Sequence, residues 1–491
     1  MEYYIIGCDM GTTRVKAIAF SREGRILAAL DGSYPMHHPE PGFAEQDPDL
    51  ILRETIQVLD SLVAKMGVPP MAIVFSSAMH SLMALDEKGS SISPLIIWAD
   101  NRSGSLADQL RMSEAGRQQY LRTGVPIHAM TPACKLLWIN QKKPENLYQA
   151  KKYAGIKDYI ILRLTGELLT DYSMAGATGL MNLSSLQWDN DTLQSLQINE
   201  GQLPEIVSPY TMRRICNSPD YANLAGIPII VGGSDGCLAN LGSGAIEGDS
   251  FALTIGTSGA IRRTSSVRHV DPEMRTFCYP LDTETFILGG PTNNGGVVFQ
   301  WLKDQFFGDL SIEQMLEGVD RVGAGADGLM FFPYLLGERA PLWDSAARGC
   351  YHGIDMAHTR FHFARAAMEG VLMNLREIGS VLAEKEKITR IYASGGFTQS
   401  PEYVRMLADV FGMEVVLNNT GEAGCIGAAL LGLRAMGEIA DYSDLRGFVE
   451  IAETVPFNEE RHQEYNQHFR RFQKLLHEVP FRINDFRGDG G

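Results

Sequence analysis

Cysteine is scarce in this sequence, and no two cysteines stand in a C-x-x-C spacing. Seven of them are spread singly over 491 residues. The count is odd and the cysteines do not cluster, so disulfide bonds are disfavoured. We expect reduced thiols that mostly fill the core, as in a cytoplasmic protein.

Long apolar runs are also absent, and positive charge is in the minority. No stretch of 18 apolar residues occurs, so we expect no membrane span. The first residues already read as a strand without a basic leader, so we expect no signal peptide. The chain has 43 Lys and Arg against 59 Asp and Glu, a formal net charge of −16. That balance disfavours a nucleic acid as the partner, and an anionic substrate would need a local cation.

Two common phosphate-binding patterns are missing. The pattern G-x-x-x-x-G-K-[ST] does not occur. The segment GAGADG at 323–328 fits G-x-G-x-x-G, but the apolar run 329–336 that follows it is typical of a strand. A dinucleotide site needs a helix there. If the protein binds phosphate, other turns must do so.

The segment 7–20, GCDMGTTRVKAIAF, contains the first candidate for such a turn. Its apolar flanks predict two strands with Gly11 in the turn between them, and a third strand follows at 25–29. Asp9 stands at the end of the first strand. Taken alone, Asp9 is equally a turn residue that bonds its own backbone or a functional carboxylate.

The same pattern returns half a chain later. In FALTIGTSGAI, residues 251–261, the turn GTS stands 245 residues after the GTT turn at 11–13, and no acid occupies the position of Asp9. A repeat at that distance, in a chain too long for one core, predicts two similar domains. Two such turns facing each other could bind phosphates through backbone N–H groups and hydroxyls.

Strands that alternate with helices indicate an α/β fold. Buried-type strands at 71–75, 95–98 and 227–231 each end in a polar cluster, and ligands in such folds bind beyond strand ends. In the second half, Gly295-Gly296 is predicted to open a helix. The small-residue segment 422–432 is predicted to form a helix that packs closely against a neighbour.

Together these motifs resemble one family. D-x-G-T-T at 9–13, T-x-G-T-S at 254–258 and S-G-G at 394–396 are similar to motifs of the actin and sugar-kinase superfold. MTPACKLLWINQ (130–141) and GCYHGIDMAHTRFHFARAAME (349–369) resemble the two signature segments of the FGGY carbohydrate kinases. The resemblance implies an α/β protein of two similar ribonuclease-H-like domains, 1–245 and 246–491. It also implies an active site in the cleft between the domains.

The resemblance further implies a kinase that uses ATP and Mg²⁺, with roles for individual residues. Asp9 and Asp235 would hold Mg²⁺. Asp235, in GGSDG, would accept the proton of the attacking hydroxyl beside the metal; without the resemblance it reads as a turn acid between glycines. The nucleotide and its phosphates would be bound by Gly11, Thr12, Thr13, Gly256, Thr257, Gly296, Gln300, Gly395, Gly396 and Ser400.

The resemblance places the sugar site on loops of the first half, beside Asp235. Its residues would be Met79, His80, Trp98, Asp100, Arg102 and His128. For two of these residues a purely structural role is also open: Trp98 could anchor the core, and Arg102 could form a surface ion pair. Lys135 is interpreted as a helix-face residue.

Several segments, among them SSAMHS (76–81) and WADNRS (98–103), are similar to the family members that phosphorylate gluconate at its terminal (C6) hydroxyl. The predicted partners are therefore a small sugar acid and ATP, with Arg102 as first candidate for the substrate carboxylate. Two alternatives stay open: another kinase of the family, such as a xylulokinase, and an actin- or chaperone-like ATPase. The sequence does not fix the oligomeric state, and a homodimer stays open.

Overall fold

The computed structural model describes residues 3–384, 386–418, 421–442, 448–479 and 481. By their contacts, the residues form two compact units. The first comprises Met1–Ile246, Ser265–Ile287 and Glu422–Glu450, and the second comprises Glu247–Thr264, Leu288–Gly421 and Ile451–Gly491. The units are thus not two continuous halves of the chain, and the domain division at residue 245 stays a prediction.

The first unit combines a central sheet with short accessory strands and surrounding helices. Its strands are Tyr4–Met10, Arg14–Ser21, Ile26–Ser33, Glu45–Gln46, Ile73–Ser77, Met83–Leu85, Leu95–Ile96, Lys152–Ala154, Leu169–Asp171, Met181–Asn182, Gln187–Trp188, Glu205–Val207, Met212–Arg214, Pro228–Ser234 and Phe277–Pro280. Its α-helices are Pro48–Met66, Gly104–Arg111, Glu114–Thr123, Pro132–Lys142, Glu145–Tyr148, Ile156–Thr165, Tyr172–Ala177, Asn190–Ser195, Asp235–Gly242 and Ala423–Ala435, and its 3₁₀ helices are Glu200–Gln202 and Pro219–Leu224.

The second unit has the same kind of elements. Its strands are Ser250–Ile255, Gly259–Ser265, Phe286–Thr292, Met330–Phe332, Cys350–His352, Arg390–Ser394, Glu414–Asn418 and Ile451–Val455. Its α-helices are Gly296–Phe306, Ile312–Asp320, Arg360–Leu382, Pro401–Phe411 and Glu459–Glu478, and its 3₁₀ helices are Ala326–Gly328 and Gly396–Gln399. Among the described residues, no helix combines the length and apolar character that crossing a membrane requires.

The central sheet of the first unit begins with the predicted three-stranded meander. Tyr4–Met10 pairs antiparallel with Arg14–Ser21, which pairs antiparallel with Ile26–Ser33. On its other side, Tyr4–Met10 pairs in parallel with Ile73–Ser77, which pairs in parallel with Pro228–Ser234. The carboxyl ends of these three parallel strands therefore meet at one edge of the sheet, where the polar clusters of the sequence follow them.

The second unit repeats this arrangement, which confirms the internal duplication. Ser250–Ile255 pairs antiparallel with Gly259–Ser265 and in parallel with Arg390–Ser394. The strand Glu414–Asn418 pairs in parallel with Arg390–Ser394 on the far side. In each unit, the first strand of a hairpin thus pairs antiparallel with the second strand on one side and in parallel with another strand on the other side.

The small-residue helix predicted at 422–432 forms as Ala423–Ala435 and packs within the first unit. A Cβ atom at Gly432 would lie 2.5 Å from the Val74 side chain and 2.6 Å from that of Ile5, so the helix approaches the sheet closely only because this residue is glycine. The helix also belongs to the apolar cluster that contains Ile5 and Val74.

Candidate active site

Asp9 lies at the carboxyl edge of the central sheet of the first unit. The Ser76 hydroxyl, on the neighbouring parallel strand, donates a hydrogen bond of 2.5 Å to its Oδ1. A Cβ atom at Gly424 would lie 2.9 Å from the Asp9 carboxylate, so this glycine lets the start of the helix Ala423–Ala435 approach the carboxylate.

The electrostatic environment of Asp9 suits a cation. Burial raises the pKa of the Asp9 carboxyl; the hydrogen bond from Ser76 acts in the opposite direction, and the Glu422 charge raises the pKa further. Glu422 itself forms an ion pair with Lys16. A buried carboxylate with a raised pKa is a group whose charged form a cation would stabilise.

The donor set near Asp9 fits magnesium better than a metal held entirely by protein. Within the described part of the chain, no cluster of three or more His, Cys, Asp or Glu side chains is placed to hold a metal ion. Mg²⁺ is commonly bound through one or two carboxylates together with water and substrate phosphates. Asp9 fits that pattern.

Asp235 is the first residue of the helix Asp235–Gly242, directly after the strand Pro228–Ser234. Its strand lies two places from the strand of Asp9 in the sheet. Because neighbouring strands lie about 4.8 Å apart, the ends of these two strands are separated by about 10 Å. The Ser234 hydroxyl caps the helix by accepting from the Cys237 N–H.

A buried polar network holds the chain just before Asp235. The Ser234 N–H donates to the Ser173 hydroxyl at 2.8 Å, and this hydroxyl donates to Asp171 Oδ1 at 2.6 Å. Lys157 forms a fully buried ion pair with Asp171 and donates to the Val231 carbonyl at 3.0 Å. The ion pair therefore fixes both the strand and the residue that precedes Asp235. Sequence reasoning missed this network because its links to Val231 and Ser234 span 74 and 61 residues.

The turn at 11–13 is held firmly by side chains of the first unit. The Tyr34 hydroxyl donates to the Gly11 carbonyl at 2.7 Å, and Gln46 Nε2 donates to the Thr12 carbonyl at 2.7 Å. Trp98 Nε1 donates to the Thr12 hydroxyl at 2.9 Å. Thr13 is exposed. The turn is thus preorganised, which is what a phosphate-binding turn requires.

The structure brings some predicted sugar residues together with that turn. Gly11, Thr12, Met79 and Trp98 line one small crevice. Trp98 is partly exposed, and its indole N–H is bonded to Thr12, so it is not a simple core anchor.

His80 and His128 lie in two other loops of the first unit, and both are partly exposed. His80 has a left-handed backbone (φ 68°), and its Nδ1 lies 2.9 Å from the Ala177 carbonyl oxygen. His128 Nδ1 accepts from the Met130 N–H at 3.2 Å, at the start of the turn that leads to the helix Pro132–Lys142.

Asp100 and Arg102 pair with each other in the structure, and their predicted role in sugar binding stays a prediction. Asp100 is fully buried at its side chain, and its two oxygens accept from Arg102 Nε at 2.9 Å, from Arg102 Nη2 at 2.8 Å and from the Ala44 N–H at 2.7 Å. Arg102 also pairs with Glu45 at 2.5 Å and packs over the Phe43 ring at 4.0 Å. The guanidinium fork that we expected to meet a substrate carboxylate is therefore engaged by two carboxylates of the protein.

The charge on Arg102 is well compensated. Burial would lower the pKa of its guanidinium, but the hydrogen bonds to Asp100 and Glu45 more than offset this and raise the pKa. The side chain of Arg102 is only 3% exposed. The alternative interpretation of Arg102 was a surface ion pair. Arg102 does form an ion pair, but the pair is buried and does not lie at the surface.

In the second unit, six of the seven predicted nucleotide residues line one cavity of about 1050 Å³. They are Gly256, Thr257, Gly296, Gln300, Gly396 and Ser400. Apolar side chains such as Val371 and Phe397 line other parts of the cavity. Both the size and the lining suit a ligand as large as a nucleotide. Gly395, with a φ of 110°, stands directly before Gly396 in the same turn.

The glycines at 295–296 join two turns of this cavity. The Gly296 N–H donates to the Gly256 carbonyl at 2.7 Å, and the Gly295 N–H donates to the Thr257 carbonyl at 3.2 Å. A Cβ atom at Gly295 would lie 2.5 Å from the Ser258 carbonyl oxygen. These glycines therefore let the start of the helix Gly296–Phe306 support the hairpin turn at 256–258, and their N–H groups are already used within the protein.

The comparisons with known proteins show the class of protein. The family models of the FGGY family of carbohydrate kinases match residues 4–242 (N-terminal domain) and residues 251–436 (C-terminal domain). The chain belongs to this family. It is a carbohydrate kinase, a phosphotransferase, with the mixed α/β two-domain fold of FGGY sugar kinases.

Its relatives carry the names of kinases for different substrates. The chain is 40% identical to a gluconokinase of Bacillus subtilis over 467 aligned residues, and the aligned region covers 91% of each protein. Two solved structures from Lactobacillus acidophilus, a gluconate kinase and a ligand-bound xylulose kinase, each share 36% identity with it at a TM-score of 0.95. Each comparison covers 99% of this chain and 100% of the other.

Proposed function

We propose that this kinase phosphorylates D-gluconate at its terminal C6 hydroxyl to 6-phosphogluconate, with ATP as the phosphoryl donor and Mg²⁺ as the cation. The observation that carries the proposal is the 40% identity to the Bacillus subtilis gluconokinase over 91% of both chains. The cavity that contains six predicted nucleotide residues supports a nucleotide as the donor.

Asp235 is the proposed general base. Its carboxylate accepts the proton of the C6 hydroxyl while the hydroxyl oxygen attacks the γ-phosphorus of ATP. The new oxygen–phosphorus bond forms as the bond to the β-phosphate oxygen breaks, and ADP leaves with the electron pair. Phosphoryl transfer depends mainly on positioning and charge stabilisation, so a carboxylate held by a capped helix start suits this role.

Asp9 is the residue that would hold Mg²⁺, together with water and phosphate oxygens. When bound, Mg²⁺ neutralises part of the charge on the transferring phosphates. The contribution of the chain is a carboxylate positioned by Ser76, about 10 Å along the sheet edge from the strand of Asp235. Gly11, Thr12 and Thr13 would bind phosphate oxygens through N–H and hydroxyl groups.

We assign the direct sugar contacts to Met79, His80, Trp98 and His128. Asp100 and Arg102 support these contacts: Arg102 pairs with both Asp100 and Glu45 and so positions the loop that follows Trp98. His80 and His128 are then the candidates for the gluconate carboxylate, because Arg102 is engaged by two protein carboxylates.

Phosphorylation of D-xylulose is the second candidate. Two observations favour it: the similarity to the Lactobacillus acidophilus xylulose kinase, and the pairing of the cation that we had expected to select a sugar acid. An ATPase of the actin or chaperone type is disfavoured, because the chain belongs to a carbohydrate kinase family.

The test is the product of the reaction. The purified chain is incubated with ATP, Mg²⁺ and gluconate, ADP formation is followed with a coupled assay, and the product is identified by ³¹P and ¹H NMR. The proposal predicts ADP formation that depends on gluconate and a phosphate ester at C6. Rapid turnover of xylulose without turnover of gluconate would favour the second candidate. A rate of ATP hydrolysis that does not change when any sugar is added would reject both.

A further inference from the structure

Lys135 is a fully buried lysine that contacts the loops of the candidate sugar site. It lies on the helix Pro132–Lys142, and its side chain is 0% exposed. Its ammonium donates to three main-chain carbonyl oxygens: that of His80, that of Met130 at 2.9 Å and that of Ile96 at 3.4 Å. From the sequence we interpreted Lys135 as a helix-face residue, but that face is turned into the protein.

Each of these three carbonyls belongs to a segment that carries a proposed sugar contact. One is the carbonyl of His80 itself. The Ile96 carbonyl ends the strand Leu95–Ile96, two residues before Trp98. Met130 stands two residues after His128, and its N–H donates to the His128 ring at 3.2 Å. One ammonium group thus joins three loops that are 16 or more residues apart in the chain.

The chemistry of an ammonium group suits this position. Its three hydrogens point in three directions, so it can donate to three carbonyls that converge from different segments. A guanidinium group is planar and cannot match the same arrangement. Without the ammonium, the carbonyl oxygens of His80 and Met130 would lose this donor, which costs free energy for each of them. The Ile96 carbonyl would keep the Leu82 N–H, which donates to it at 2.9 Å.

The charge of Lys135 is costly to bury, which argues that it has a purpose. Burial lowers the pKa of the Lys135 ammonium to about 7, and the charge of Asp100 acts in the opposite direction. The other charged or titratable groups that act on it are Arg102, which lowers the pKa, and the Cys134 thiol, which raises it. A methionine of similar length would fill the same space at no electrostatic cost.

We propose that Lys135 is a positioning residue for sugar binding: it sets the relative placement of the loops that carry His80, Trp98 and His128. The proposal rests on the assignment of the sugar site to these loops, and it holds for any sugar that the site accepts.

The test compares Lys135→Met and Lys135→Arg with Lys142→Met, a control at an exposed lysine on the same helix. KM and kcat are measured for ATP and for whichever sugar of a gluconate, xylulose and glycerol panel the wild type uses best. We expect Lys135→Met to raise the sugar KM by about tenfold or more. We expect the ATP KM and kcat to change far less, Lys135→Arg to recover part of the loss, and Lys142→Met to match the wild type.

A Lys135→Met variant that unfolds cooperatively and keeps the wild-type sugar KM would overturn the proposal. If Lys135→Met does not accumulate as folded protein, Lys135→Arg decides, since it keeps the charge and changes the geometry. A raised sugar KM with an unchanged ATP KM in Lys135→Arg supports a positioning role, and a wild-type sugar KM contradicts it. The identity of the best wild-type sugar tests the proposed function separately, because the Lys135 comparison uses that sugar in either case.

Discussion

The Ser76 hydroxyl donates to the Asp9 carboxylate at 2.5 Å, and the second unit contains the same pairing without the acid. Thr254 stands 245 residues after Asp9, and its hydroxyl lies 2.9 Å from that of Ser394, on the parallel strand that corresponds to the strand of Ser76. At this position, the first strand of each hairpin therefore faces a serine hydroxyl on the neighbouring parallel strand. Only the first unit has a carboxylate there, which locates the proposed cation site in that unit.

Asp9→Asn should raise the Mg²⁺ concentration needed for half-maximal rate. The amide keeps the size of the side chain but removes the charge that would attract the cation, and we expect a shift of about tenfold or more, the range of one charge-assisted contact. Titration of the initial rate with Mg²⁺ measures the shift, with Ser394→Ala as a control in the second unit. An Asp9→Asn variant with the wild-type Mg²⁺ dependence would remove Asp9 from the metal site.

Asp235→Asn should reduce kcat while ATP binding survives. Loss of a general base typically costs about 10²- to 10⁴-fold in rate. Steady-state kinetics measures kcat, and calorimetric titration with ATP checks that the nucleotide still binds. If Asp235→Asn keeps more than about a tenth of the wild-type turnover, Asp235 is not the general base, because removal of a base costs at least about 10²-fold in rate.

Lys157→Met should lower the free energy of unfolding substantially. The variant leaves Asp171 as a buried carboxylate without its cation, and removal of one partner of a buried pair typically costs about 3–5 kcal/mol. Denaturant unfolding measures the change. Lys151→Met is the matched control: its ion pair with Glu87 is exposed, so we expect a loss below about 1 kcal/mol. Equal losses in both variants would contradict the assignment.

Arg102→Ala should destabilise the protein without changing which sugar it prefers. The variant leaves Asp100 and Glu45 without their shared cation, so the free energy of unfolding should fall by about 3–5 kcal/mol. The ratio of kcat/KM for gluconate to that for xylulose should stay within about threefold of the wild type, a difference below 1 kcal/mol. A loss confined to gluconate would restore Arg102 as the partner of the substrate carboxylate.

Asp158 should make the stability depend on pH in a predictable direction. Burial raises the pKa of its carboxyl to about 6, although the Gly155 N–H donates to it at 2.8 Å. Between the unfolded value of about 3.9 and this folded value, the folded chain binds a proton that the unfolded chain does not. The contribution of Asp158 to stability is therefore full below the unfolded pKa and falls as the pH rises through about 6. Urea unfolding should show that the free energy of unfolding falls less between about pH 5 and about pH 7 in Asp158→Asn than in the wild type. The same dependence on pH in both proteins would contradict this.

The sequence predicted the parts of this molecule that depend on neighbouring residues. The hairpin around Gly11, its repeat around Gly256 and the turn at Gly395 have local signals, because glycine and hydroxyl residues between apolar runs favour tight turns. The structure places residues of the last two in one cavity.

The contacts that the sequence could not predict join distant segments. Arg102 meets Glu45 57 residues away, and Lys135 meets the carbonyl of His80 55 residues away. The pair Lys157–Asp171 is closer in the chain, but its burial depends on the packing around it. No pattern in one sequence shows which acid will face a given cation, so the pairing of Arg102 with Glu45 could not be predicted, and its role toward the substrate stays a prediction.

The central claim, that the substrate is gluconate, is tested most directly by kcat/KM for gluconate, xylulose, glycerol and xylitol under identical conditions. The account predicts that gluconate exceeds every neutral sugar, because polar groups placed for a carboxylate would be left unpaired by a neutral substrate, and such discrimination can reach about 10⁴-fold. A kcat/KM for xylulose equal to or above that for gluconate would contradict the claim and leave only the membership in the FGGY carbohydrate kinases.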